Sequence, residues 1–145
     1  MIQFANTIDI AREAAAVFAY LADAEHTPEW NWAITSAEKI TPGPVGVGTR
    51  FRLTRSVPQP AVETLEITAF EPLRRIDVAG RLGPFDARLA YEVTPIDHGT
   101  RLTNTAELEA PMPLGFVGGL FGGPVRASVA ENLDVLKALL EGGVR

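Results

Sequence analysis

Strand alternation puts four polar side chains on otherwise apolar faces: Arg55 in "RFRLTRSV", Glu63 in "AVETLEITAF", Tyr91 in "FDARLAYEV" and Asn104 in "RLTNTAEL". A long helical pattern near the C-terminus adds Asn132, in the middle of its apolar stripe, with Ser128 beside it. A buried polar group needs a hydrogen-bond partner and a buried charge needs a counter-charge. Each of these positions therefore marks either a core network or a contact to a bound molecule. Arg55 and Glu63 flank the "PQP" turn symmetrically enough to face each other. One reading is a water-exposed rim salt bridge worth about 0–1 kcal/mol. The other is a guanidinium that reads a carboxylate, enolate or carbonyl oxygen of a ligand. Tyr91 and Asn104 cost no charge to bury, so they suit ligand hydrogen bonds, or a network with each other or the backbone. Asn132 is either bonded across the core or reaches into a cavity.

Other chemistries lack residues to carry them. The two histidines are far apart: His98 belongs to the "DHGT" turn, and His26 follows the first helical segment. There is no HExxH, so no metal site is expected. The absence of cysteine removes disulfides, thiol nucleophiles and Cys-based zinc sites. No GxSxG, Walker loop or GxGxxG occurs, and "GFVGGLFGG" does not lead from a strand into a phosphate-cradling helix with a lysine. No cofactor is expected. A net charge of -5 and a pI of about 5.0 argue against a nucleic-acid partner, which wants a basic face.

The elements that must position the polar residues follow from periodicity. "FANTIDI" reads as a first strand, and "REAAAVFAYLA" as a helix burying Ala14, Val17, Phe18 and Leu21. A second short helical turn is expected around Pro28 to Trp32. From Ser36 to Glu109 the chain reads as about six strands divided by Pro, Gly, Asp and Asn turn signals, short enough for an antiparallel meander. Parity predicts the inward set: Phe51, Leu53, Arg55 and Val57; Ala61, Glu63, Leu65, Ile67 and Ala69; Phe85, Ala87, Leu89, Tyr91 and Val93; Leu102, Asn104, Ala106 and Leu108. A helix from about Phe116 to Leu140 carries Phe121, Val125, Val129, Asn132, Leu136 and Leu139 along one side, with Leu133 and Leu140 widening the stripe. Glu131, Asp134, Lys137 and Glu141 lie away from it. So wide an apolar face needs the concave side of a curved sheet. The 145 residues fit one domain, 1–145, of class α+β: a helix-grip arrangement of six to seven strands around a long C-terminal helix.

At this level the chain resembles the SRPBCC (START-like, Bet v 1-like) superfamily, in particular its polyketide cyclase/dehydrase-type branch. The opening "IDIAREAAAVFAYLADAEHTPEWNW" carries the strand end "I-D-I", the helix pattern "V-F-x-x-L-x-D" and then "P-x-W". "VGVGTRFR", "ITAFEPLRRI", "HGTRLT" and "ENLDVLKALLE" resemble later pieces in the same order. The resemblance covers essentially the whole chain. It implies a ligand cavity between sheet and long helix, with its mouth near the second short helix. Trp30, at the "P-x-W" position, would then face the cavity in preference to Trp32. The cavity-lining set expected on these grounds is Trp30, Phe51, Leu53, Arg55, Leu65, Ile67, Phe85, Leu89, Tyr91, Asn104, Phe116, Phe121, Val125, Val129 and Asn132.

Three functions are compatible with this reading. The first is a binder or carrier of a small hydrophobic molecule, such as a polyketide, lipid or isoprenoid, in a cavity of about 300–1,000 Å³. The second is a cyclase or dehydratase using the same pocket, in which Arg55, Tyr91 or Asn104 would stabilise an enolate oxygen and Glu63 or water would move the proton. The third is a membrane-associated or protein-partner module that uses "PLGFVGGLFGG" as an exposed apolar patch. Apart from that, "GFVGGLFGG" reads either as a hinged flap before the long helix or as an irregular helix start that packs quietly. No signal peptide is read in "MIQFANTIDI", and no apolar run reaches the roughly 18 residues of a membrane span, so a cytoplasmic protein without stable membrane insertion is expected, as monomer or homodimer.

Overall fold

The computed structural model describes residues 1–110 and 118–142, the first five residues of the closing helix by backbone alone. Seven strands, β1 (Ile2–Ile10), β2 (Ile34–Lys39), β3 (Arg50–Arg55), β4 (Ala61–Glu71), β5 (Arg75–Leu82), β6 (Phe85–Ile96) and β7 (Gly99–Glu109), form one antiparallel sheet in the order β1-β7-β6-β5-β4-β3-β2. From β2 onward each strand pairs with the next, as short turns dictate. Strand β1 lies out of order at the far edge, registered from Ile2↔Leu108 to Ile10↔Thr100. The chain returns from that edge through α1 (Ala14–Ala22), a single 3-10 turn (Ala24–His26) and α2 (Thr27–Trp30). The helix α3 (Gly118–Glu141) closes the fold, which is a helix grip.

Alternation buries one face of the sheet. Phe51, Leu53, Leu65, Ile67, Ile76, Val93 and Leu102 pack with Ile10, with Val17 and Phe18 of α1, and with Leu133, Leu136 and Leu140 of α3. One predicted parity fails. The β4–β5 register slips between Ile67 and Ala69, which pair with Val78 and Asp77. Such a bulge flips every side chain beyond it. Phe70, not Ala69, therefore turns inward, where its ring meets Phe18 edge-on at 5.4 Å.

The position of α3 is set by one end of β1. Lys137 Nζ donates to the Asp9 carbonyl (2.5 Å) and to Glu141 (2.7 Å), whose Oε2 also accepts from the Ala11 amide (2.8 Å). Arg12 Nη1 donates to the Leu140 carbonyl, satisfying one of the carbonyls that a helix C-terminus leaves free (3.1 Å). These bonds hold the helix close over β1 and α2. The C-terminal half of α3, with α1, fills one end of the groove; the other end, over β3 to β7, is where space remains.

Candidate functional site

That space is a partly open cavity of about 110 Å³. The sheet supplies Leu53 and Arg55 from β3, Leu65 from β4, Leu89 and Tyr91 from β6, and Asn104 from β7; α3 supplies Val125, Val129 and Asn132; α2 supplies Trp30. All of these stand on the faces that parity and helical spacing select. Trp30 faces the cavity, while Trp32 is 63% exposed beyond the end of α2. The proline-marked connection thus places one indole in the wall and the other in water.

The remaining expected positions lie elsewhere. Phe51 and Ile67 are buried in the solid end of the groove, and do not line the cavity. Parity gives the face of a residue but not how far along the groove it sits. Phe85 is half-buried beside Ile2, Ala87 and Leu108 in a satellite cluster. Phe116 lies outside the described residues, as does the side chain of Phe121 and most of the "PLGFVGGLFGG" segment. Ala106 and Leu108, inward by parity, also line the wall, and so do residues outside the expected set: Phe4, Ile34, Ile76, Val78, Leu82 and, from the helices and turns after β1, Leu21, Ala24, Thr27 and Asn31. Ile76 and Val78 alternate in "RIDVAG" and were available to the same parity argument. Leu21 stands on the buried face that helical spacing gave to α1; Ala24, Thr27 and Asn31 had no such signal, because the turns that carry them are too short to show a period.

The volume is below the range expected for a drug-sized ligand. It approaches that of an engineered apolar cavity, about 150 Å³, that binds benzene.

Arg55 and Glu63 are not a rim pair. They are 9% and 6% exposed, and Arg55 Nε reaches both carboxylate oxygens at 2.9 and 3.0 Å. Glu63 Oε2 also accepts from the Gly83 amide (2.8 Å). The reason is a parting in the sheet. Pairing of β4 with β5 ends at Leu65↔Gly80, after which β4 follows β3 and β5 follows β6. Glu63 bridges the gap to the β5–β6 turn. Outside it lies an open depression of about 570 Å³ lined by Val62, Thr64, Arg81, Asp86, Arg88, Glu107 and Glu109 among others. That depression is larger, but it is open and lined by charges of both signs. The cavity under α3 is smaller, more closed and more apolar, with few polar groups in its wall.

The other polar groups in the wall are less satisfied. Asn104 Nδ2 makes a long bond to the Ala90 carbonyl (3.4 Å), while its Oδ1 and that of Asn132 are buried without a partner. Burial pushes the Tyr91 hydroxyl up to about 12, so it stays protonated at neutral pH. His26 does not line this wall, although Ala24 and Thr27 beside it do. It stacks on Tyr20 at 4.3 Å and shares Glu29 with the Tyr20 hydroxyl, 2.9 and 2.7 Å away. Hydrogen bonds from His26 and Tyr20 hold the Glu29 carboxyl below its usual range. Among the described residues no cluster of His, Asp and Glu could hold a metal, and no helix is long and apolar enough to cross a membrane.

The family described as "Polyketide cyclase / dehydrase and lipid transport" matches residues 1–141. The chain belongs to this family. Solved structures with the same fold include a START superfamily protein from Mycobacterium smegmatis (16% identity, 98% of this chain and 99% of that one, TM-score 0.84). Another is the di-domain ARO/CYC StfQ from the steffimycin biosynthetic pathway (16% identity, 97% of this chain, 51% of that one, TM-score 0.79). A third is Ara h 8.0201 (19% identity, 92% and 97%, TM-score 0.62). No match is found among curated proteins. At these identities the likeness is one of fold, START-like and Bet v 1-like, and this member of the polyketide cyclase/dehydrase and lipid transport family must be read from its own site.

Proposed function

We propose that this chain binds a small hydrophobic molecule in the cavity between sheet and α3, as a carrier or sequestering protein. The observation that carries this reading is a mainly aliphatic void where, among the described residues, no wall group is suited to moving a proton at neutral pH. Tyr91 keeps its proton, and Glu63 is engaged by Arg55 and Gly83. Among the described residues no histidine lines the void. General acid–base work needs a group whose pKa lies near the working pH, within reach of the substrate. The polyketide, lipid and isoprenoid classes remain the chemical neighbourhood suggested by the family. A molecule longer than one ring needs the void to widen.

A cyclase or dehydratase role is the second reading. It is supported by the family's description and by the Tyr91 hydroxyl and Asn104 amide, which share one wall and could hydrogen-bond a substrate carbonyl. The deciding experiment is native mass spectrometry of the protein purified from its own host, followed by denaturing extraction of whatever travels with it. A stoichiometric apolar molecule recovered unchanged after incubation supports the carrier. Its conversion by fresh protein, lost in Tyr91→Phe, would replace that reading with the enzymatic one.

A further inference from the structure

Arg55 is the one charged residue among the described residues that line the cavity, and its side chain is only 10% exposed. Its partners account for part of it. Glu63 takes Nε with both carboxylate oxygens. Nη1 reaches the Val57 carbonyl at 3.5 Å, the limit of a hydrogen bond. Nη2 meets no acceptor among the described residues. The guanidinium thus keeps most of its N–H donors unspent, on the two Nη atoms. Nor is Nη2 sealed in. Among the described residues, the side-chain atoms that are both unpartnered and fully enclosed by protein are the amide oxygens of Asn104 and Asn132, and Nη2 is not with them. Arg55 borders the cavity and not the charged depression outside the sheet. Its unspent donors therefore open on the void.

We infer that the cavity takes a ligand whose polar end is an acceptor oxygen, a carbonyl or a carboxylate, held by the Nη donors of Arg55. This rests on reading the cavity as the ligand site. A hydrogen bond from a charged donor is stronger than one from a neutral donor, and a guanidinium presents its N–H groups in a planar fork that fits such oxygens. Glu63 grips the fork at Nε and is itself held by the Gly83 amide, so the Nη atoms are positioned before a ligand arrives. The rest of the ligand follows from the rest of the wall. Leu53, Leu65, Leu89, Val125 and Val129 are aliphatic, and the void takes about one ring. Arg55 pairs across the sheet with Ile34 of β2, which lines the same void. The oxygen end therefore lies toward β2, and the hydrocarbon end toward Leu89 on β6.

Two matched pairs, titrated calorimetrically into the full chain, test this: cyclohexanone against methylenecyclohexane, and benzoate against toluene. Each pair keeps the ring and exchanges a hydrocarbon end for oxygen. At least one oxygen-bearing probe should bind about tenfold more tightly than its hydrocarbon partner. The pair with the larger gain tells whether the site reads a carbonyl or a carboxylate. In the double variant Arg55→Met with Glu63→Leu the advantage should vanish while the hydrocarbons still bind. If that variant fails to fold, the guanidinium nitrogen resonances of Arg55 in the unaltered chain give the answer: the Nη signals should move with the oxygen-bearing probe and stay with its hydrocarbon partner. Hydrocarbons bound as tightly as both oxygen-bearing partners would overturn the acceptor site and leave the cavity a ligand site, with water satisfying the Nη donors. An oxygen advantage that survives in the double variant would overturn the role of Arg55. Failure of every probe to bind would remove both this inference and the function beneath it.

Discussion

Arg55 and Glu63 stand eight residues apart on adjacent strands and meet side by side, the guanidinium Nε shared between both carboxylate oxygens at 2.9 and 3.0 Å, in a wall with the cavity on one side and the open depression on the other. Neither has water to fall back on. Glu63→Gln should therefore cost about 3–5 kcal/mol, because it leaves a buried guanidinium without its counter-charge. Replacing both, as Arg55→Met with Glu63→Leu, should cost far less than that. Urea unfolding of the single and double variants checks both expectations, and equal losses would contradict the account.

Filling the void should trade binding for stability. Val129→Phe places a ring from α3 into the cavity, so the folded state should gain about 0.5–2 kcal/mol. Toluene binding should disappear in the same variant. A loss of stability would mean that the void is narrower at α3 than its lining residues indicate.

Stability should fall off on both sides of neutral pH. On the acid side, Asp9 is held low by Arg101, Glu29 by His26 and Tyr20, and Glu141 by Lys137. A carboxyl with a depressed folded pKa contributes stability that is complete above its unfolded value, about 4, and is lost as pH falls through the folded one. Urea midpoints should be flat near neutrality and drop below about pH 4.5, less steeply in Glu29→Gln. On the alkaline side both tyrosines of the chain are raised, Tyr20 by burial and its bond to Glu29, Tyr91 by burial. The unfolded chain then loses tyrosine protons first, near pH 10, so stability falls above that value. Tyrosinate absorbance of the folded protein should lag that of the urea-unfolded chain.

Two glycines are fixed by close approach. A Cβ on Gly80 would come within 2.3 Å of the Thr64 carbonyl oxygen, and one on Gly99 within 2.3 Å of that of Ile10. Backbone has to move in both cases, so Gly80→Ala and Gly99→Ala should each lose about 1–3 kcal/mol. Gly46→Ala meets no atom within 4 Å and should stay within about 0.5 kcal/mol of wild type in thermal unfolding.

The two tryptophans should report separately. Trp32→Phe removes an exposed indole and should change stability by less than about 0.5 kcal/mol. The remaining emission, from Trp30, should be blue-shifted and should respond to toluene. In Trp30→Phe the emission of Trp32 should be red-shifted and indifferent to it. Steady-state fluorescence with acrylamide quenching makes the comparison.

The arrangement of strands and helices was legible because period-2 and period-3.6 patterns are local. So was the inward face of Arg55, Tyr91, Asn104 and Asn132, since the strands that carry the first three and the helix that carries the last are regular where they stand. What failed has a common origin in geometry that no single segment contains. The slip after Ile67 replaces Ala69 by Phe70 and has no mark in "LEITAF". Phe51 and Ile67 sit on the right face, but the groove's filled end is decided by where Lys137, Glu141 and Arg12 pin α3 to β1 and its neighbouring turn. The same pinning sets the height of the helix above the sheet, and hence a volume that no residue count could supply. The Arg55–Glu63 pairing was visible, but its burial was not, because it depends on β4 and β5 parting at Gly80.

That parting has a further meaning. A sheet of this order has two outer edges, β1 and β2; the separation of residues 61–64 from 81–82 adds a second pair of edges in its interior. Unpaired strand edges are templates on which another chain can add itself. Here they are short, preceded by Pro58 and Pro60 on one side and followed by Pro84 on the other, with the Arg81–Asp86 ion pair standing over them. Glu63 ties the two lips together from inside. Opening its hold would present a self-complementary ribbon to solvent, so the same carboxylate that answers Arg55 in the cavity wall also covers an edge on which another strand could add itself.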